Sequence, residues 1–397
     1  MNFGQRYLIV GIALTAGACS GSAPLPISFG PKPVETACET DEARISFDFP
    51  AASLSRCVIE GPREFSVLVT PEHVPPINPS PWYAFRYKAS EGSDVTVTLR
   101  YLGGQHRYAP IWNDGSTERQ LAAEVGPDRD RAVLTLPPGK AIVSAQEIVD
   151  ESRYRKTLKR WARGKHAKRF TLGRSHDDRR IEAVSIGNPA ASRLVILIGR
   201  QHPPEVTGAL GMEAFVDRIA AMVAQDPALG DRYRFLVVPL LNPDGVARGN
   251  WRANLGGRDL NRDWGIFSQP ETQAVRQWLD ALPGHVRPVL LLDFHSTFRN
   301  LVYVQGEEAD AVGERFLAGW LSGREADFSG YPFTIEPRNA NPGSGTTKNW
   351  FHETYGIPAY TYEVADDADR EGIRTAATAL ASSLPDALDR AYGPEDR

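Results

Sequence analysis

Three short, almost wholly apolar runs in the second half of the chain restrict its fold more than any other feature. They are "RLVILIG" at 193–199, "RYRFLVVPLL" at 232–241 and "PVLLLDF" at 288–294. Runs without polar alternation are typical of strands that are covered on both faces, as in a parallel sheet. Segments with helical spacing separate them, and "PAYTYEV" at 358–364 predicts a further strand. The sequence therefore predicts an α/β sheet with helices on both faces, closed by a helix at 370–391 that Pro385 interrupts.

The first part of the chain has a different texture. Its apolar and polar residues alternate in the short runs "ARISFDF", "EFSVLVT", "WYAFRYKA", "DVTVTLRYL", "RAVLTL" and "KAIVSAQ". This pattern is typical of a small antiparallel β-sandwich, which we place at 40–150. It precedes a catalytic domain at 170–393 with a mixed, mostly parallel sheet flanked by helices. The basic segment at 151–169 links the two and is interpreted as a solvated helix, because a phosphate-binding patch fits a slightly acidic chain poorly.

The overall composition argues against several classes of protein. The chain has 397 residues, of which 42% are hydrophobic and 24% charged, and a formal net charge of −4. This length supports two domains with sizeable cores, and the net charge disfavours a nucleic-acid partner. No apolar run reaches the roughly 18 residues that a membrane-spanning helix needs.

The first residues have the layout of an export signal. Residues 1–19 carry one basic residue, Arg6, then an apolar stretch and then small residues that end at Cys19. This is the order of a secretory signal. The segment Ala16–Cys19 resembles a bacterial lipoprotein box, although Ala16 stands where leucine is usual, so plain cleavage nearby is the alternative. We expect export to the bacterial cell envelope or periplasm, a tether at 20–39, and membrane contact only through a lipid on Cys19.

Cys38 and Cys57 form an even pair once Cys19 is set aside. Disulfides persist in exported proteins. We therefore predict a bond between the two that closes a loop of about twenty residues. Two free buried thiols are the alternative.

Three side chains of metal-binding types follow the apolar runs. His202 and Glu205 come after the first run and are separated by two prolines, which keep them out of a helix interior or a paired strand. His295 comes directly after the third run. Ligands of such sheets bind beyond the carboxyl ends of strands, and two His with one Glu form a catalytic zinc set. Taken alone, each is a weak signal, and Asp293 either supports His295 or is a buried turn residue.

A polar loop rich in Asn, Gly and Arg, residues 240–265, follows the second run. It is either a surface loop or a functional one, and loops of this length inside a compact domain are usually functional. Arg252 and Arg262 can bind carboxylates through their planar guanidinium groups. Glu363, near the end of "PAYTYEV", can move a proton beside a metal.

Together these segments resemble the zinc metallocarboxypeptidase family. That family has, in order, H-x-x-E, Asn-Pro-Asp-Gly, Trp-Arg, Asp-x-Asn-Arg, a strand-end His and a strand-end Glu. The chain has "HPPE", "NPDG", "WR" at 251–252, "DLNR" at 259–262, "DFHS" at 293–296 and "YTYEV" at 360–364. The stretch "SPWYAFRYKAS" at 80–90 further resembles the cytosolic-carboxypeptidase branch and its bacterial relatives, in which a β-rich domain precedes the catalytic one.

The resemblance implies a role for each matching residue. The implied ligands of one zinc ion per chain are His202, Glu205 and His295. Glu363 is implied as general base and acid, and Arg252 as the group that contacts the substrate, polarises its scissile carbonyl and binds the oxyanion. Asn261 and Arg262 are implied to hold the terminal carboxylate of a peptide.

The segment before Glu363 departs from the family pattern. Digestive relatives carry a mobile Tyr there, and here the length differs by a residue. Either Tyr355 or His352 takes the place of that tyrosine, or neither residue does. Tyr355 is the candidate substrate-binding residue. Lys348 is a candidate contact for an acidic substrate side chain, and an exposed lysine at a helix start is the alternative.

The resemblance predicts a zinc carboxypeptidase that hydrolyses the C-terminal peptide, or isopeptide-like, bond of peptides. One alternative is a zinc amidohydrolase that deacylates N-acyl amino acids, which shares H-x-x-E and similar loops. Another is a binding protein on an inactive carboxypeptidase scaffold. The complete "NPDG" to "WR" loop argues against the amidohydrolase. The intact set of candidate metal ligands and the candidate base argue against the inactive binding protein.

Overall fold

The computed structural model describes residues 37–52, 56–73, 78–338 and 343–393. The predicted signal at 1–19, the candidate lipidation site Cys19 and most of the predicted tether lie outside these residues. Within the described ranges, no helix combines the length and apolar character needed to cross a membrane. The β-rich and α/β parts of the chain belong to one compact unit.

Short strands make up the first part of the chain. Their bounds are β1 Ala37–Glu39, β2 Ala43–Ser46, β3 Arg56–Gly61, β4 Glu64–Val69, β5 Ala84–Ala89, β6 Val95–Tyr101, β7 Ile111–Asn113, β8 Glu118–Gln120, β9 Glu124–Val125, β10 Arg131–Leu136 and β11 Gly139–Ser144. They form two sheets, with the strand orders β1-β2-β5-β11-β7-β8 and β3-β4-β6-β10-β9.

The two sheets pack face to face through alternate residues of their strands. Val95, Val97 and Leu99 of β6 are fully buried, and they share one core with Phe85 and Val143 of the other sheet. Each of the six runs predicted as strands contains a strand. The expected antiparallel pairing has one exception, because β4 and β6 run parallel.

A disulfide joins Cys38 in β1 to Cys57 in β3. These strands lie at the edges of different sheets, so the bond ties the two sheets together. The predicted pairing is confirmed, and the alternative of two free thiols is wrong.

We expect loss of this disulfide to destabilise the protein. A bond between residues 19 apart in the sequence contributes about 3 kcal/mol in the chain-entropy description. The double variant Cys38→Ala/Cys57→Ala should therefore unfold at a lower urea concentration than the unmodified chain. A reducing agent should lower the midpoint of the unmodified chain and leave that of the double variant unchanged; an equal response of both would contradict the prediction.

Helices and longer strands make up the rest of the chain. The helices are α1 Glu151–Trp161, α2 Val206–Gln225, α3 Pro227–Arg232, α4 Pro243–Arg248, α5 Pro270–Asp280, α6 Ala311–Trp320, α7 Thr347–Tyr355 and α8 Arg370–Tyr392, with a 3₁₀ turn at Leu260–Arg262. The strands are β12 Ala167–Arg174, β13 Arg180–Ile186, β14 Arg193–Gly199, β15 Tyr233–Val238, β16 Arg287–Thr297, β17 Leu301–Val304, β18 Thr334–Pro337 and β19 Ala359–Ala365.

These strands form one mixed sheet in the order β12-β13-β15-β14-β16-β19-β17-β18. Its centre, from β15 through β14 and β16 to β19, is parallel. Antiparallel pairs flank the centre at β12, β13 and β17. The predicted fold class, a mixed, mostly parallel sheet with helices on both faces, is confirmed.

Strand β14 shows why its sequence is continuously apolar. Val195 and Leu197 belong to a core that also contains side chains of α2 and α8. Leu194 and Ile196 belong to a second core, which contains side chains of α5 and α7. Helices cover both faces of the strand, so the positions from Leu194 to Ile198 need apolar side chains.

Helix α8 corrects one prediction. It runs from Arg370 to Tyr392 and includes Pro385, which was expected to interrupt it. Proline inside a helix removes a hydrogen bond and costs about 3 kcal/mol. Its neighbours Leu384 and Leu388 are fully buried in the core, and their packing holds the helix together through the proline.

The basic segment predicted as a solvated connecting helix does contain a helix, and this helix packs on α2. Arg160 of α1 donates hydrogen bonds to Glu213 and Asp217 of α2. Leu158 and Trp161 on the same helix are buried. The arginines of α1 therefore bind acidic residues of this chain, and β12 begins only six residues after α1 ends.

The register of the central strands brings their carboxyl ends to one edge of the sheet. Ile198 of β14 pairs with Asp293 of β16, and His295 of β16 pairs with Glu363 of β19. The loop that follows β14 therefore emerges beside the ends of β16 and β19, which is where parallel sheets bind ligands.

Candidate active site

The loop after β14 is braced before it reaches α2. Arg200 has a left-handed backbone with φ 52°, which is uncommon for a residue other than glycine. Its guanidinium group donates to the carbonyl oxygen of Pro203 at 3.1 and 2.6 Å. Glu205 then forms the N-cap of α2. A Cβ at Gly208 would lie 2.3 Å from the carbonyl oxygen of His295, so only glycine lets α2 come this close to β16.

His202, Glu205 and His295 meet at one buried point. Nδ1 of His202 lies 2.8 Å from Oε1 of Glu205, and Nδ1 of His295 lies 2.7 Å from Oε2 of the same carboxylate. The candidate ligand atoms of the three residues all lie within 4.8 Å of one another. The structure thus brings together all three residues that the sequence suggested as metal ligands.

A carboxylate holds the far nitrogen of each imidazole ring. Oδ1 of Asp259 lies 2.8 Å from Nε2 of His202, and Oδ2 of Asp293 lies 2.7 Å from Nε2 of His295. When Nε2 donates its proton to a carboxylate, Nδ1 is the atom left free to bind a metal. The two carboxylates therefore turn both free nitrogen atoms towards Glu205.

The charges around this point favour a cation. Burial alone lowers the pKa of His295, but Asp293 and Glu205 outweigh it and hold that pKa well above its ordinary value. Burial raises the pKa of Glu205, and the two imidazole rings reverse the effect and hold it well below its usual range. Negative charge that binds a proton this strongly also attracts a metal ion. Two histidine nitrogens with one carboxylate are a donor set that suits zinc.

A cavity of ≈ 810 Å³ adjoins the three residues. The other predicted site residues that line it are Arg252, Asn261, Arg262, Lys348 and Glu363. Predicted candidates for substrate binding and for proton transfer therefore share one cavity with the candidate metal ligands.

Tyr355 is the exception among the predicted site residues. It is absent from the described lining of the cavity, and it packs against Trp350 and Phe351 with ring centroids 5.7 and 5.8 Å apart. Residues four apart share one face of a helix, so α7 directs Tyr355 to the face that bears Phe351. The structure therefore does not bring Tyr355 into the described cavity lining, and its contact with a substrate stays a prediction. Among the described residues that line the cavity, Tyr303 of β17 is the tyrosine.

Hydrogen bonds fix the polar loop that carries three of the lining residues. Nε of Arg252 donates to Oδ2 of Asp259 at 2.7 Å, so Asp259 joins Arg252 to His202. Oδ1 of Asn261 accepts hydrogen bonds from N and Oγ1 of Thr347 at 2.9 and 3.1 Å. Arg262 donates to the carbonyl oxygen of Asn261 at 2.6 Å.

Glu363 lies in β19, directly opposite His295 of β16. Its Oε2 atom is buried and has no hydrogen-bond partner among the described residues. Burial raises the pKa of this carboxyl to about 7; His295 opposes this rise and Glu205 adds to it. A carboxyl group that faces a cavity, has one oxygen without a hydrogen-bond partner among the described residues and has a pKa near neutrality is suited to exchange protons with a bound molecule.

Lys348 lies in the first turn of α7 and is not exposed. The residue is 4% exposed, and its Nζ donates to the carbonyl oxygen of Val304 at 3.2 Å. Burial lowers its pKa to about 8, against the opposing effect of Glu308 and Glu353. The alternative of an exposed lysine is therefore wrong, and Lys348 is a buried cation at the cavity wall.

Two contributions to the site were not predicted from the sequence. The first is Asp259, the opening residue of "DLNR", whose place in that motif was the available signal. The second is the β-sandwich, which supplies Arg107 to the cavity lining. Arg107 donates to Asp366, just beyond β19, and to Ser80, each at 2.7 Å. Ser80 is the first residue of "SPWYAFRYKAS", and this stretch was the sequence feature nearest to the contact.

Comparison with known proteins identifies the family. The sequence profile of the zinc carboxypeptidase family matches residues 160–384. The chain belongs to the zinc carboxypeptidase family. This result confirms the resemblance carried by the ordered motifs, and places the chain among metallocarboxypeptidases by descent.

The relatives that this chain resembles include cytosolic carboxypeptidases. Cytosolic carboxypeptidase 2 of Xenopus tropicalis is 30% identical over 204 residues, which is 47% of this chain and 21% of the relative. Cytosolic carboxypeptidase 2 of Homo sapiens is 35% identical over 147 residues, which is 34% of this chain and 16% of the relative. The chain thus spans about a fifth of the length of these two relatives.

Solved structures share the fold of this carboxypeptidase. A metallo-carboxypeptidase from Burkholderia cenocepacia has a TM-score of 0.72 at 21% identity, over 87% of this chain and 99% of that one. A metallo-carboxypeptidase from Pseudomonas aeruginosa, solved in complex with (2-guanidinoethylmercapto)succinic acid, has a TM-score of 0.69 at 20% identity, over 87% and 99%.

Proposed function

We propose that this family member is an active zinc-dependent carboxypeptidase, which removes C-terminal residues from peptides. The observation that carries the proposal is the meeting of His202, Glu205 and His295 at a cavity that Glu363 also lines. Three protein ligands leave a coordination position open for water or substrate. Glu363 supplies the proton acceptor that hydrolysis requires.

Each residue has a distinct task in the proposed reaction. Zinc held by His202, Glu205 and His295 would supply a Lewis acid and lower the pKa of water. Glu363 takes a proton from the attacking water and returns it to the leaving amine. Arg252 donates hydrogen bonds to the scissile carbonyl oxygen as negative charge develops there.

The proposed exopeptidase activity depends on recognition of the chain end. Arg262 presents a planar guanidinium group, which matches the two oxygens of a carboxylate. Asn261 lies beside it and offers an amide N–H. A peptide held by its terminal carboxylate places its last peptide bond at a fixed distance from Arg252 and Glu363, which limits cleavage to the end of the chain.

The charges of the cavity favour an acidic substrate. The basic side chains that line its described walls are Arg107, Arg129, Arg252, Arg262, Arg338 and Lys348. The lining carboxylates in the same ranges are Glu205 and Glu363, and both have roles in the proposed reaction. A cavity lined by one sign of charge concentrates substrates of the opposite sign. We therefore propose peptides with an acidic C-terminal residue, the preference that the resemblance to the cytosolic-carboxypeptidase branch also implies.

We expect Lys348→Met to reduce activity towards acidic substrates selectively. A charge-assisted hydrogen bond is worth about 1.5–3 kcal/mol, so kcat/KM for a peptide ending in Glu should fall about 10- to 100-fold. The same peptide ending in Ala should change by less than about threefold. Lys88→Met removes an exposed lysine and serves as the matched control. Equal losses on both peptides would contradict a contact between Lys348 and the acidic side chain.

The preference for Glu over Ala should also depend on pH. Lys348 is charged below its pKa of about 8 and neutral above it, so the ratio of the two kcat/KM values should decline as the pH rises through about 8. In Lys348→Met the ratio should be low and nearly constant between pH 7 and 9. A ratio that declines equally in the variant would show that another group controls it.

One experiment separates this activity from the alternatives. The full chain, loaded with zinc, is incubated with a peptide acid, its C-terminal amide and an N-acyl glutamate, and the products are identified by mass spectrometry. A carboxypeptidase shortens only the peptide acid. Release of the acyl group alone would identify an amidohydrolase, and binding without any product would identify a scaffold that only binds.

We also propose that the protein is exported to the bacterial cell envelope. The support is the layout of residues 1–19 and the Cys38–Cys57 disulfide, since such bonds are rare in the cytosol. Cell fractionation tests the location. If Cys19 carries a lipid, Cys19→Ser should move the protein from the membrane fraction to the soluble one.

A further inference from the structure

A side chain of the β-sandwich holds the loop that carries Arg252. Glu72 lies just beyond β4, and its carboxylate accepts hydrogen bonds from three consecutive backbone amides. Oε2 accepts from Trp251 at 2.7 Å, and Oε1 accepts from Arg252 at 3.0 Å and from Ala253 at 2.7 Å. Hydrogen bonds to an ionised acceptor are about twice as strong as neutral ones. The backbone on both sides of the Arg252 Cα is therefore fixed by Glu72.

A second, independent contact ties the same segment to the β-sandwich. Trp251 is fully buried, and its ring belongs to the hydrophobic core that the two sheets share. A Cβ at Gly104 would lie 2.9 Å from the Trp251 ring and 2.8 Å from Pro81. The indole thus occupies a slot that exists only because position 104 is glycine. Trp251 immediately precedes Arg252, so this packing also restricts the position of the Arg252 backbone.

The side chain of Arg252 is also fixed at its guanidinium group. Its Nε donates to Oδ2 of Asp259 at 2.7 Å, while Oδ1 of Asp259 contacts His202. With the backbone held by Glu72 and Nε held by Asp259, the terminal nitrogens of Arg252 have a defined direction. That direction changes if either carboxylate is removed.

We propose that Glu72 is a positioning residue for the reaction, because it fixes the backbone from which Arg252 reaches the substrate carbonyl. This inference rests on the proposed role of Arg252 as donor to the oxyanion. Such donors act only within about 3 Å of the developing charge, and a displacement of about 1 Å can cost about 100-fold in rate. The β-sandwich is then part of the catalytic apparatus.

The test compares variants of Glu72 in the zinc-loaded full chain. Glu72→Ala is expected to lower kcat about 10- to 100-fold and to change KM by less than about twofold. Glu72→Gln keeps one carbonyl oxygen and should lose less. Glu64→Gln, which changes an exposed carboxylate of β4, is the matched control and should retain full activity. Zinc content and the thermal midpoint of each variant verify that it folds and loads.

A double variant separates positioning from a general structural effect. If Glu72 acts through Arg252, Glu72→Ala should cost less than about twofold in an Arg252→Ala background, because coupled residues are not additive. Binding of a phosphonate that mimics the tetrahedral transition state gives a second readout. In Glu72→Ala its affinity should fall by the same factor as kcat/KM, because lost transition-state contacts weaken transition-state analogues equally.

The outcomes are distinct. Equal losses from Glu72→Ala in both backgrounds, or no loss in the native background, would overturn the positioning role while leaving the proposed role of Arg252 intact. Full activity of Arg252→Ala alone would overturn the role of Arg252, and the positioning role with it. If Glu72→Ala does not fold, Glu72→Gln supports the same comparison in both backgrounds.

Discussion

Glu363→Gln is expected to bind zinc normally and to lose peptide hydrolysis. Glutamine cannot accept the proton of the attacking water, and the loss of a general base lowers kcat by about 10²- to 10⁴-fold. Zinc should remain because Glu363 is not among the three residues that meet at the candidate metal point. The measurements are zinc content by elemental mass spectrometry and kcat on a peptide ending in Glu.

A matched control is Glu371→Gln in α8, where the side chain is 65% exposed. This variant should keep both zinc and rate. An undiminished rate in Glu363→Gln would contradict its role as proton carrier. A loss of zinc together with activity would instead make Glu363 a metal ligand, which disagrees with the geometry described above.

His202→Ala is expected to lose both the metal and the activity. Loss of a residue that only supports a metal ligand weakens metal binding by about 10- to 100-fold. Loss of a ligand itself should therefore weaken zinc binding by more than about 100-fold. Ligands that bind only the folded state stabilise it. Added zinc should therefore raise the thermal midpoint of the unmodified chain and not that of the variant.

The control for this variant is His285→Ala, which removes an exposed histidine. It should keep the zinc content, the activity and the response of the thermal midpoint to zinc. If His202→Ala binds zinc as tightly as the unmodified chain does, the metal is held elsewhere. The proposed ligand set would then be wrong.

Periodicity predicted the parts of this fold that local sequence determines. The apolar run of β14 indicated a strand with two covered faces, and side chains from its two faces do enter two different cores. The apolar runs also placed His202, Glu205 and His295 just after strand ends that the register brings side by side. These predictions succeeded because strand type, strand end and ligand type are each readable within a few residues.

Predictions failed where a distant contact outweighs a local preference. Pro385 should end a helix, but the buried neighbours Leu384 and Leu388 keep α8 continuous. Tyr355 was the candidate substrate contact from its place in the chain, and α7 packs it against Trp350 and Phe351, so its contact with a substrate stays a prediction. Which face a helix turns towards a cavity depends on tertiary packing that a single sequence does not reveal.

The role of the β-sandwich was beyond prediction for a related reason. Glu72 and Trp251 are separated by 179 residues, and nothing in the local sequence of either indicates the other. Arg107 and Asp366 meet across 259 residues in the same way. Such pairs arise from the packing of two differently folded parts of the chain, so only the structure connects them to the site.

The most direct measurement is mass spectrometry of one peptide ending in Glu, incubated with the protein before chelation, after chelation and after zinc is restored. We expect loss of the C-terminal Glu before chelation, no loss after it, and recovery of the rate with about one equivalent of zinc per chain. Trimming that persists in the chelated protein, or cleavage at internal bonds, would contradict a zinc-dependent carboxypeptidase built on His202, Glu205 and His295.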